Sequence, residues 1–134
     1  MATRGIRNNN PGNIRKGTKW QGLDSTKFDS AFCTFTTMAY GCRALMKTLR
    51  TYVVKYHLLT VKDIISRWAP PNENDTTAYI NFVCKELDVA PNHRLDFTDS
   101  DLYIKLGKAI ASFENGKDAN MISNLDWVEG LKLI

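Results

Sequence analysis

The residue in this sequence best placed to move a proton is Glu114. Steps of four from Leu106 through Ile110 lead to it, so one helical stripe carries two apolar side chains and then a carboxylate. Such a carboxyl faces a cleft wall or the edge of the core. It also falls in the last turn before Asn115-Gly116, where the helix dipole disfavours a negative charge. Shelter of this kind suits a general acid working near neutral pH. Glu73 is the second candidate, in Pro70-Pro71-Asn72-Glu73-Asn74-Asp75-Thr76. A rigid Pro-Pro corner and a polar loop present Glu73, Asn74 and Thr76 to a ligand; the plainer reading makes this acid a partner of the next helix N-terminus.

Polar and aromatic residues that could hold a substrate cluster near the start. Asn8, Asn9, Asn10 and Asn13 surround the Pro11-Gly12 turn signal. They offer amide donors and acceptors suited to sugar hydroxyls and N-acetyl groups. Trp20 and Tyr79 are candidate stacking platforms for a sugar ring. Other chemistries lack support. Cys33, Cys42 and Cys84 show no two-residue spacing and only two His are present, so neither a metal site nor a redox pair is expected. No phosphate loop or dinucleotide fingerprint occurs, and no cofactor is expected.

The elements that must position these groups are mostly helical. Met38, Cys42, Leu45, Leu49, Tyr52, Val53 and Tyr56 recur at three- and four-residue steps after Thr37, predicting a helix of about five turns. Arg43, Lys47, Arg50 and Lys55 fall off that stripe and read as a solvated face. Thr60, with Asp63 three residues on, opens a second helix that Pro70-Pro71 ends. A third runs from Asn74 or Asp75 to Leu87, and a fourth from Asp99 or Ser100 to Asn115-Gly116. A last amphipathic piece aligns Ile122, Leu125, Val128 and Leu131. The first 27 residues read as irregular, and Phe28 to Phe35 alternate like one or two short strands.

The 134 residues, with 43% apolar and 24% charged side chains, suit one domain over 1–134 that buries a core. The net charge is +4, yet residues 1–23 hold five cations and no acid. That end would draw an anionic polymer. No apolar run is long enough to cross a bilayer, and the polar start shows no signal peptide.

Four blocks carry a family resemblance. They are Arg4-Gly5-Ile6-Arg7-Asn8-Asn9-Asn10-Pro11-Gly12-Asn13-Ile14-Arg15, Tyr40-Gly41-Cys42-Arg43-Ala44, the Arg67-Trp68-Ala69-Pro70-Pro71 run through Thr76, and Lys108 to Gly116. Together they resemble small phage and prophage virion-associated lytic proteins of the lysozyme-like superfamily. The resemblance implies an α+β, mainly α, lysozyme-like domain. Because Glu114 follows the asparagine loop instead of preceding it, a permuted order of elements goes with that expectation; without permutation, Glu73 becomes the better acid. The implied activity is peptidoglycan glycan-strand cleavage, as a muramidase or lytic transglycosylase. Glu114 would protonate the glycosidic oxygen, and Glu73 or Asp75 would supply any second carboxylate. The alternative is a non-catalytic virion structural or peptidoglycan-binding module. Expected partners are peptidoglycan glycan strands and other virion proteins, with no nucleic acid, no membrane span and a monomeric state. The expected setting is the phage particle or host cytoplasm, with action on the cell wall.

Overall fold

Polar side chains, more than apolar ones, shape the first 37 residues of the structure, a computed structural model describing residues 1–134. After α1, a single turn over Arg4–Arg7, the chain winds through the asparagine loop. Asn9 and Asn13 sit at φ of 52° and 49°, a region Asn tolerates better than most residues. Asn10 is fully buried: its side chain accepts from the Ile14 amide at 2.9 Å and donates to the Ile14 and Cys33 carbonyls at 2.9 and 3.0 Å. Asp29 organises the other side. Its Oδ1 accepts from the Ala31 and Phe32 amides at 2.9 and 2.8 Å, and the Arg4 guanidinium forks onto both carboxylate oxygens at 2.8 and 2.6 Å.

These bonds explain why no sheet forms. The alternation in Phe28–Phe35 is real, but side chains take much of the backbone hydrogen bonding a ladder would need. Pairing shrinks to two isolated bridges, Arg15 with Phe32 and Leu23 with Phe35. The fold is all-helical. The expected α+β, lysozyme-like domain is thereby corrected, and the permuted order that accompanied it goes too.

Side-chain caps set most helix starts. Thr37 accepts from the Tyr40 amide at 3.3 Å to begin α2 (Met38–Tyr56), and His57 closes it at φ 55°. Thr60 accepts from the Asp63 amide at 3.1 Å to begin α3 (Val61–Trp68), which ends just before Pro70-Pro71. Asp75 caps α4 (Thr76–Leu87) through the Ala78 amide at 3.1 Å. α5 spans Asp101–Asn115, followed by a 3-10 helix at Gly116–Met121. Ser123 caps α6 (Asn124–Lys132). Leu45, Leu49, Ile64, Ile65, Val83, Leu106 and Ile110 are completely buried where α2 to α5 meet. No helix is long and apolar enough to cross a membrane.

Three local expectations change. In α6 the buried positions are Trp127 and Gly130, while Leu125 is 66% exposed. A Cβ at Gly130 would lie 2.9 Å from Ala39 O and Arg43 N, and Trp127 lies against Gly107 of α5. The bulky indole and these close approaches set the helix rotation: Ile122 is buried and Val128 and Leu131 pack against the core as expected, and Leu125 alone leaves the stripe. Arg43 leaves the solvated face: it is buried and donates from Nε to the Leu133 carbonyl at 3.0 Å. The early irregular stretch contains α1.

The Asp29 cluster makes the N-terminal lobe acid-sensitive. The Arg4 side chain, then the Phe32 and Ala31 amides, hold the Asp29 carboxyl far below the usual carboxylate range. A depressed folded-state value adds stability above the unfolded value, near pH 3.9, and that stability fades as pH falls through the folded value. Asp29→Asn is therefore expected to lower the melting temperature by several degrees at pH 7. The gap to the parent should persist down to about pH 4 and narrow only below it. Paired melts from pH 2 to 7 check this; a constant gap would remove the carboxylate's charge from the account.

Candidate functional site

Two segments a hundred residues apart are sewn together by Asn115. This buried side chain donates to the Pro11 carbonyl at 2.9 Å and to Ala111 O at 3.0 Å, and accepts from Thr3 Oγ1 at 2.8 Å. The last turn of α5 is thus pinned to the asparagine loop, and Glu114 emerges beside Asn13. Asn13 Nδ2 donates to Glu114 Oε1 at 3.0 Å. The Tyr79 hydroxyl donates to Oε2 at 2.8 Å and accepts from Trp68 Nε1 at 3.1 Å. Burial first, then the Glu114 charge, pushes the Tyr79 phenol well above its ordinary value, so it remains a donor at neutral pH. The carboxyl is held from two sides yet half-buried.

Glu114 borders an open groove of about 410 Å³. The asparagine loop supplies Gly12, Asn13, Ile14 and Arg15, and Trp20 and Phe32 extend that wall. Thr48 and Tyr52 come from α2, and Trp68, Glu73 and Asn74 from the end of α3 and the loop after it. Aromatic faces, amides and two carboxylates therefore share one depression. Trp20 Nε1 is shielded and has no protein acceptor.

The sequence candidates divide in place. Glu114, Glu73, Asn13, Trp20 and Asn74 line the groove. Glu73 is exposed and its carboxylate makes no hydrogen bond, whereas Asn74 Nδ2 donates to Pro70 O at 3.3 Å. Asn8, Asn9 and Asn10 turn away from the groove: Asn8 donates to Asp29 at 3.0 Å, Asn9 to Phe35 O at 3.1 Å, and Asn10 is spent on Ile14 and Cys33. Thr76 is buried and donates to Ala69 O at 2.5 Å. Tyr79 is 1% exposed, with its ring stacked on Phe113 at 3.9 Å. It stacks on no sugar; it positions Glu114. Asp75 is consumed as a helix cap. The three cysteines are buried and unpaired. Asn115, Thr48 and Tyr52 were missed as site residues. Tyr52 had been placed in the apolar stripe, and the four-residue step from Thr48 to Tyr52, at that stripe's edge, was the available signal.

The fold and this groove define a small helical protein with a braced glutamate in an aromatic, amide-bearing cleft. The chain is 41% identical over 121 residues to Protein P5 of Pseudoalteromonas phage PM2, covering 87% of this chain and 74% of that protein. It belongs to the family of that phage protein. No protein-family model matches it.

Proposed function

We propose that this phage protein grips a peptidoglycan glycan strand in the groove and cleaves it with Glu114 as general acid. The observation that carries the reading is the bracing of a half-exposed carboxyl by Asn13 and Tyr79 at the groove wall. Each carboxyl oxygen keeps a lone-pair site beyond the bond it accepts, so a proton on Glu114 has a position from which to reach a ligand. Trp20, Trp68 and Tyr52 give apolar faces for sugar rings, and Asn13 and Asn74 give polar contacts.

In this mechanism Glu114 delivers its proton to the glycosidic oxygen as the bond to C1 breaks. The departing sugar keeps that proton as a hydroxyl. Either water or the sugar's own C6 hydroxyl then bonds to C1, and its proton returns to the Glu114 carboxylate. The internal route needs a single carboxyl, which fits a groove where Glu73 has no partner to hold it. That same lack of a second fixed carboxylate favours the other reading, a virion protein that uses the groove to hold glycan strands without cleaving them.

Mass spectrometry of purified wall incubated with the protein separates the readings. Cleavage predicts soluble disaccharide fragments, lighter by one water where the C6 hydroxyl closes the ring. Retention on the wall with no soluble sugar points to the holding role. Neither release nor retention removes both.

A further inference from the structure

Beside the groove, α2 presents a second, differently charged surface. Its core face carries Cys42, Leu45, Met46, Leu49 and Val53, all buried, while Thr48 and Tyr52 form groove wall. Helical geometry puts the row Lys47, Thr51 and Lys55 next to that wall, with Arg50 and Val54 just beyond. These five residues line one shallow depression of about 350 Å³, and Val54 is 63% exposed.

The charge on this shoulder is uncompensated. No acidic residue occurs between Asp29 and Asp63, a stretch with five Lys and Arg. The molecule's two ion pairs, Arg4 with Asp29 and Lys132 with Glu129, leave Lys47, Arg50 and Lys55 unpaired. None of the three donates a hydrogen bond from its side chain, although Lys55 Nζ lies 5.4 Å from the centre of the Tyr56 ring. Arg67 continues the cationic margin, its guanidinium 3.8 Å from the Tyr56 ring centre and 5.3 Å from that of Tyr52. Three cations around one exposed valine suit a chain that carries carboxylates on a partly apolar frame.

We infer that the α2 shoulder of Lys47, Arg50 and Lys55 docks the carboxylate-bearing peptide stems of a glycan strand whose sugars occupy the groove. The inference rests on the glycan-strand reading and adds to it the substituents the ligand must bear. A strand lying against Thr48 and Tyr52 would hang its substituents over the adjacent helical row. Exposed cations hold such groups weakly one by one, and their joint effect weakens as salt screens them.

The test compares binding of the full chain to stem-bearing wall and to the same strands stripped of peptide by an amidase. The parent is expected to bind the stem-bearing form roughly tenfold more tightly at low salt. The triple variant Lys47→Gln, Arg50→Gln, Lys55→Gln should lose that advantage while still binding stripped strands like the parent, which also shows that it folds. Equal parental binding to both forms overturns the shoulder and spares the groove reading, as does a triple variant that keeps the full gap. A parent that binds neither form overturns both.

Discussion

Glu114→Gln is expected to cut the release of soluble wall fragments by about 100-fold or more, the range lost when a positioned general acid is removed. The substitution keeps the side-chain volume and replaces the ionisable carboxyl by a neutral amide that has no proton to transfer. Stability should change far less. Tyr79 can still donate to the Gln oxygen, and an Asn13 amide turned by half a rotation offers its oxygen to the new Nε2 in place of the bond it now donates to Glu114. What is lost is the charged character of two hydrogen bonds, roughly 1–2 kcal/mol. Release assays run beside a thermal melt separate the two effects. A variant that clears wall at the parental rate would take Glu114 out of the chemistry and turn attention to Glu73→Gln. Glu73→Gln itself should leave most of the rate, because Glu73 is exposed and nothing holds its carboxylate in one place.

What the sequence could show about this site follows from the range of the forces involved. The three- and four-residue recurrence from Met38 to Tyr56 and the caps at Thr37, Thr60 and Asp75 are local, and the helices begin where those residues put them. The placement of Glu114 on the Leu106–Ile110 stripe is local too, and the structure puts that side chain at the wall of a groove. The asparagine loop was harder to read. Four asparagines look alike as amides, but only Asn13 reaches the groove wall, because the others meet Asp29, Phe35, Ile14 and Cys33, partners 4 to 26 residues away. Phe28–Phe35 misled for the same reason: alternation signals a strand only when the backbone is free to pair, and Asp29 and Asn10 had already engaged it. Tyr79 presents one face of α4 in sequence, and nothing there says that Phe113 will cover its ring. Long-range packing converted a stacking candidate into a positioning one.

The same packing makes Gly41 the position where one methyl group should do the most damage. Gly41 lies in the first turn of α2 against the asparagine loop, and a Cβ there would come to 1.8 Å from the Asn9 carbonyl oxygen and 2.9 Å from Pro11 Cδ. Neither neighbour can move away cheaply. Asn9 is held at positive φ with its side chain bonded to Phe35 O, and the Pro11 carbonyl accepts from Asn115. Alanine would gain about 1 kcal/mol over glycine as a helix former. The clash is with backbone and ring atoms, so overpacking outweighs that gain, and Gly41→Ala should destabilise the protein by about 3 kcal/mol. For a domain of this size that lowers the melting temperature by roughly 10 °C. Because the displaced loop carries Asn13, glycan binding should weaken even at temperatures where the variant remains folded. A melting temperature within about 2 °C of the parent would mean that the loop can slide over α2, and with it the brace on Glu114 would lose its rigid footing.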